Sequence, residues 1–283
     1  MNSSPLVKKA TGELEPFSPS KLELSLSRAG VTPKTIDSII SEINEWIIDG
    51  VTTKKIYQKA FSLLKKHQKL AAARYQLKNA LIQLGPTGYP FETFMGQVIK
   101  NMGYDVKVGQ VLDGHCVTHE VDVIATKNNH QTFVECKFHS DQGKRSGVQV
   151  ALYVRSRVDD IIRLRMKDPQ YKGFTFDGWV ATNTKFSADA ISFGECSGLS
   201  MLSWDYPRGN SLREILDREH IFPITILSSL TQVEKRLLLN MDIVTCQQII
   251  DNPLVLNKLN ISVKKTQSII NEAEFLKKTS TKQ

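Results

Sequence analysis

Two short segments constrain the chain most: His119–Ile124 and Thr132–Lys137, each alternating apolar and polar residues at the two-residue period of a half-buried strand. The polar run Lys127-Asn128-Asn129-His130 lies between them, so the pair predicts a β-hairpin. Side chains two apart on a strand share a face, which sets Glu135 beside Lys137 and brings Asp122 from the partner strand to the same sheet end. Glu120 shares the face of Asp122 and is a rival for its role. Two carboxylates and an ammonium crowded together are costly to desolvate unless a cation or a phosphate uses them.

The 283 residues suffice for two or three domains, and 41% hydrophobic with 23% charged residues is ordinary for a folded protein. No run approaches the ~20 apolar residues of a spanning helix, and the start Met-Asn-Ser-Ser-Pro lacks a signal-peptide core. The expectation is a cytoplasmic protein without a membrane partner. The four cysteines form no Cys-x-x-Cys pair, which points to reduced thiols and neither a zinc cluster nor a disulfide framework. A net charge of +8 favours polyanionic partners, although solubility is an equal use of such charge.

Residues 1 to 85 read as a first domain. A hairpin turns near Thr11-Gly12, Ser18-Pro19 opens a helix ending at Gly30, and helices follow over Pro33–Ile48, after Thr52-Thr53 and over His67–Leu84. The pattern Val7-x-Lys9-x-x-Gly12-x-x-Glu15-x-Phe17-x-x-x-Lys21, the Asp49-Gly50-Val51-Thr52-Thr53 turn and Ala72-Ala73-Arg74-Tyr75 resemble the ATP-cone, a nucleotide-sensing module. That resemblance implies ATP or dATP as an effector, bound by Lys9, Glu15, Phe17, Lys21 and Thr53. Lysines beside a helix N-terminus suit phosphate, and they equally suit plain solvation.

The breaker cluster Gly85–Pro90 marks the next boundary, so residues 86 to 215 read as a second domain. Phe91–Met102 has helical spacing, strands are expected over Gly103–Val108 and Val111–Val117 ahead of the hairpin, and a basic helix over Ser146–Met166. Strands at Val180–Asn183 and Leu199–Trp204 enclose a helix over Ser187–Ser197. The order predicts an α/β domain, α+β over the whole chain, with a mixed sheet flanked by helices.

Asp122, twelve intervening residues, and then Glu135-Cys136-Lys137, with Gln149-x-x-x-Tyr153 and the upstream helical Glu92, resemble the Mrr-like branch of the PD-(D/E)XK nucleases, as do Thr182-Asn183-x-x-Phe186-Ser187 and Leu202-x-Trp204-Asp205. The resemblance implies a restriction-endonuclease-like fold and Mg²⁺- or Mn²⁺-dependent cleavage of DNA, in the manner of restriction. It implies Asp122, Glu135 and the Cys136 carbonyl as metal ligands, and Lys137 as the residue that positions or deprotonates the attacking water. Gln149 and Tyr153 would orient Lys137 or touch the scissile strand, and Glu92 would add an outer contact. Glu-x-Lys alone arises by chance in alternating strands, and Glu135 with Lys137 also fits a plain ion pair. His115, His119 and His139 flank the site without a second histidine at ligand spacing. Lys144, Arg145, Arg155 and Arg157, continued by Arg163 and Arg165, form either a DNA-tracking stripe or a solvated helix face.

Residues 216 to 283 read as a small all-α tail, with a capping box at Thr231-x-x-Glu234, a second turn at Ser262, a last helix ending near Leu276 and a frayed end from Lys277. Its short helices resemble helix-hairpin-helix DNA-binding tails, with Asn240 and Asn260 where that motif usually has glycine. A packing or dimerisation module is the equal alternative. Together these expectations describe a nucleotide-responsive DNA endonuclease acting as a homodimer. The alternatives are a non-catalytic nucleotide-responsive regulator with a degenerate nuclease core, and a nuclease for RNA or junctions.

Overall fold

The N-terminal segment builds on a helix start that the sequence announces: Ser18 accepts from Lys21 N–H and Pro19 occupies the first turn. The computed structural model describes residues 4–9 and 12–278. Thr11, half of the expected first turn, and residues 279–283 of the expected frayed end lie outside them. Strands β1 (Leu6–Lys8) and β2 (Leu14–Pro16) pair antiparallel, and helices α1 (Pro19–Arg28), α2 (Pro33–Trp46), α3 (Thr53–His67) and α4 (Lys69–Ile82) follow. His67 ends α3 and does not begin α4, because the chain turns at Gln68. The Asp49–Thr53 turn docks on β1: Asp49 Oδ1 accepts from Leu6 N–H at 2.7 Å and Lys8 N–H donates to Val51 O at 3.0 Å. Leu26, Ile39, Ile43, Ala60 and Leu64 are fully buried between the helices. Replacing Leu64 by alanine should cost about 2–5 kcal/mol through lost transfer energy and a cavity, measured by denaturant unfolding. The chain divides into two compact units, Met1–Leu77 and Lys78–Gln283.

After the last residues of α4, the second unit runs through α5 (Tyr89–Asn101), then β3 (Asp105–Asp113), β4 (Thr118–Lys127), β5 (His130–Lys137), β6 (Arg145–Ser146) and α6 (Val148–Arg165). It continues with β7 (Thr175–Thr182), β8 (Lys185–Phe186), α7 (Ala188–Cys196), β9 (Leu199–Leu202), α8 (Leu212–Arg218), α9 (Gln232–Leu239), α10 (Cys246–Asp251) and α11 (Val263–Lys278). The main sheet is mixed, in the order β3-β4-β5-β7-β9: the first three strands are antiparallel, and β7 and β9 run parallel to β5. Helices flank it, with α5 against β3 and β4, α6 against β7, and α7 against β9. Among the described residues no helix is long and apolar enough to cross a membrane.

The hairpin turns as its residues dictate. Asn128 and Asn129 both take positive φ (49° and 58°), the mirror-image turn whose twist matches the flanking strands. The two strands expected over Gly103–Val108 and Val111–Val117 are one strand, β3, with constant register to β4 on both sides of Gly109. Gly109 adopts φ +61°, which reads in sequence as a break and in the sheet as a local kink. The two-residue strands β6 and β8 carry too little pattern to be read in advance.

In the C-terminal helices the expected capping box is present: Thr231 Oγ1 accepts from Glu234 N–H and Glu234 Oε2 accepts from Thr231 N–H at 2.8 Å. Asn260 takes φ 51° and ψ 47°, the left-handed cap for which glycine is the usual choice. The last helix runs two residues past the expected Leu276, to Lys278.

Candidate active site

The site forms where β4 and β5 part company. Their pairing runs from Lys127–His130 to Val123–Val134 and goes no further, so Glu135, Cys136 and Lys137 pair only with Val180, Ala181 and Thr182 of β7. The Cys136 N–H that β4 no longer meets donates to Asp122 Oδ2 at 2.6 Å. A carboxylate thus takes the place of a ladder carbonyl, which fixes Asp122 at the fork. On β5, Phe133, Glu135 and Lys137 share one face, and Phe133 belongs to the core under α6.

Glu135 is 6% exposed and is the centre of the constellation. Its Oε1 accepts from Tyr153 OH at 2.6 Å and meets Lys137 Nζ at 2.6 Å, while Oε2 pairs with Arg157. Lys137 and Arg157 both lie 5.3 Å from the Tyr153 ring centroid, within cation–π range. Tyr153 and Arg157 are one turn apart on α6, so one helix face delivers both to the sheet. Gln149, one turn before Tyr153, is exposed and makes no hydrogen bond to Glu135 or Lys137. Arg157, expected among the DNA-contacting residues, is a partner of Glu135. Arg155 pairs with Asp159 and donates to Ser197 O at 3.2 Å, and Arg165 lies over Tyr171 at 4.2 Å. Lys144 and Arg145 are exposed before α6.

The electrostatics follow from burial and like charges. Burial first, and then the charges of Glu135 and Glu92, push the Asp122 carboxyl up to about 7, against the pull of the Cys136 N–H. Burial, Glu120 and Glu135 likewise raise Glu92 on α5. Burial opposes the Lys137 ammonium, yet its bonds to Glu135 and Tyr153 outweigh that and raise it. Burial and the Glu135 hydrogen bond lift Tyr153 to about 12, and burial pushes the Cys136 thiol well up, which leaves its backbone as the useful part. Glu120 is exposed, and its charge reaches Glu92.

Among the described residues no three His, Cys, Asp or Glu side chains form a ready-made metal cage. The donor set still suits a hard divalent cation: Asp122 keeps Oδ1 without a hydrogen bond among the described residues, negative neighbours raise its carboxyl, and the Cys136 carbonyl is adjacent. The flanking histidines have other duties. His119 Nε2 meets Asp160 at 2.8 Å, and Asp160 also accepts from Cys116 and Val117 N–H, which ties the β3–β4 loop to α6. His139 Nε2 bonds Ser146 Oγ at 2.9 Å, and the fully buried Asn183 clamps the His139 backbone from both sides.

In the first unit Lys9 Nζ and Lys21 Nζ converge on Glu15 Oε2, at 3.0 and 3.2 Å. One carboxylate gathers two ammonium groups, an arrangement suited to the phosphates of a nucleotide. Comparison with known families matches residues 5–79 to the ATP cone domain. The N-terminal unit carries an ATP cone. Residues 222–276 match the family described as AF1548-like, C-terminal. An uncharacterized protein of Archaeoglobus fulgidus is 29% identical over 184 residues, 64% of this chain and 98% of that protein. The crystal structure of a protein of unknown function, AF1548, superposes with a TM-score of 0.55 at 28% identity over 66% of this chain and 97% of that one. The MspJI restriction endonuclease, solved in complex with a 27-mer oligonucleotide, gives a TM-score of 0.31 at 12% identity, covering 75% of this chain and 44% of that chain, too low to bear on function.

Within the ATP cone, Phe17 is buried in the core and Thr53 is exposed at the start of α3, where Thr52 supplies the helix cap. Lys9→Ala should weaken ATP binding roughly tenfold, the effect of losing one charge-assisted phosphate contact, as titration calorimetry on the full chain would measure. Sequence reasoning missed Arg157 as a partner of Glu135. The available signal was its spacing, one turn beyond Tyr153 on the same face.

Proposed function

We propose that this protein is a divalent-cation-dependent DNA endonuclease whose activity responds to ATP or dATP held by its ATP cone. The observation that carries the reading is the convergence of Asp122, Glu135 and Lys137 at the fork between β4 and β5, with Tyr153 locking Glu135 and Lys137 together. Asp122, Glu135 and the Cys136 carbonyl would hold Mg²⁺ or Mn²⁺, which when bound polarises the phosphoryl oxygen and lowers the pKa of water. Lys137, kept protonated by its partners, offsets the charge that builds on phosphate, so its role is electrostatic and not that of a base. Glu92, with its carboxyl raised, is the better proton acceptor. Cutting both strands calls for two such sites, which a homodimer supplies. We read this chemistry as DNA restriction, on the resemblance of the Asp122 and Glu135-Cys136-Lys137 pattern to Mrr-like nucleases.

A second reading has its own observation. Both Glu135 oxygens are engaged by Tyr153, Lys137 and Arg157, an arrangement that also suits a nucleotide-responsive DNA-binding protein without catalysis. The deciding experiment incubates the full chain with modified and unmodified duplex DNA, single-stranded DNA and RNA in Mg²⁺ or Mn²⁺, with and without ATP and dATP. Metal-dependent nicking of duplex DNA that changes with nucleotide supports the endonuclease. DNA binding without cleavage under every condition supports the regulator.

A further inference from the structure

Alongside the fork, α6 borders an open groove of about 580 Å³, lined by Tyr153, Ser156, Arg157, Asp160 and Arg163 on one helix face and by His119 of β4. Arg163 lies ten positions after Tyr153, so the stripe extends ~15 Å at 1.5 Å per residue, long enough to follow a strand past several phosphates. The acidic residues bordering it are already satisfied: Asp159 by Arg155, and Asp160 by His119 and the Cys116 and Val117 N–H groups. Arg163 is exposed and holds no ion pair among the described residues. The groove therefore offers two guanidinium groups, one of them spent on Glu135.

Arg157 is where groove and site meet. It lines the groove and at the same time pairs with Glu135 Oε2, the oxygen that Tyr153 and Lys137 leave to it. A cation approaching that oxygen meets a guanidinium already there, so arginine and metal compete for one lone-pair region. A backbone phosphate in the groove offers the guanidinium a bidentate partner of matching geometry.

We infer that Arg157 is a positioning residue that latches Glu135, and that a nucleic-acid backbone seated along α6 releases the latch and completes the cation site. The inference rests on the endonuclease reading and deepens it: the site binds its metal fully only with a polyanionic strand in place. Linkage makes the effect mutual, so the metal tightens the nucleic acid by the same factor. A protein without a strand in the groove would hold its metal weakly.

The test measures Mn²⁺ binding by calorimetry to the full chain, alone and with a short blunt DNA duplex, without reading cleavage. In the wild type the duplex should tighten Mn²⁺ at least tenfold. Arg157→Gln should bind Mn²⁺ about tenfold more tightly than the wild type without DNA and gain correspondingly less from the duplex, the size expected for removing one competing charge contact. Arg157→Lys, which keeps the charge and loses the fork, should fall between the two. An Arg157→Gln protein that binds Mn²⁺ no more tightly than wild type overturns the latch, and so does Arg157→Lys indistinguishable from wild type. Glu135→Gln separates the two levels. If it loses Mn²⁺ while the Arg157 variants behave as wild type, only the latch fails; if it binds Mn²⁺ like wild type, the reading of the site fails with it.

Discussion

On the proposed endonuclease reading, Glu135→Ala should abolish metal-dependent nicking of duplex DNA, by on the order of 10³-fold or more, the scale of losing a preorganised charge at a phosphoryl-transfer site. The size follows from the position of Glu135 and not from its charge alone. It is buried, it holds Tyr153, Lys137 and Arg157 in one place, and it is the β5 carboxylate proposed to hold the cation. The alanine variant frees Lys137 and Arg157 at once, and both can turn to water because about a third and a quarter of their side chains are already exposed. The stability loss should therefore lie at or below the low end of the ~3–5 kcal/mol seen when a buried pair is broken. Glu135→Gln, which keeps shape and the Tyr153 hydrogen bond, should remain folded and still fail to cut. A plasmid-nicking assay beside a melting curve separates the two effects, and full cleavage by a folded Glu135→Gln protein would falsify the mechanism.

Asp122→Asn should stabilise the free protein at pH 8 by on the order of 2 kcal/mol while removing the proposed activity, less than its full shift because the carboxyl keeps part of its hydration. The sign follows from the direction of the shift. The ordinary carboxyl value is 3.8 and the folded value about 7, so the fold binds this proton more tightly than the unfolded chain does. The stability due to that proton is complete below about pH 4 and is lost as pH rises through about 7. Asparagine keeps an oxygen for Cys136 N–H and carries no charge, so the variant should show a flatter stability curve between those limits. Divalent metal should raise the melting temperature of the wild type at pH 8 and leave Asp122→Asn unmoved. Denaturant unfolding across pH, with and without Mg²⁺, checks both halves. Equal pH profiles for the two proteins would mean that Asp122 is charged in the fold at no cost, and the crowding argument would fall.

The alternation in His119–Ile124 and Thr132–Lys137 was sufficient for the hairpin, because a two-residue period assigns each side chain to one face, although β5 is buried on both faces from Gln131 to Cys136 and not half-buried as its alternation suggests. The same period put Glu135 and Lys137 on one face, and the structure closes them to 2.6 Å. Local chemistry also announced the Ser18 and Thr231 caps, whose hydrogen bonds involve residues only three apart. The two halves of β3 were legible as extended chain and not as one strand, since Gly109 is a break to any local reading and only the β4 partner carries the register across it.

What the sequence by itself determined is the set of elements and the chemistry they bear: alternating strands, capped helices, and an acid, an acid and a lysine spaced for adjacent strands. Only the tertiary structure decided how that chemistry is wired. The parting of β4 from β5 at Asp122 is part of that wiring, and the Asp122 bond to Cys136 N–H and the capture of Glu135 by Tyr153 and Arg157 join residues at least fourteen positions apart. Periodicity tells which face a side chain takes within its own element. It does not tell which element will lie opposite, because that is settled by the packing of the whole core.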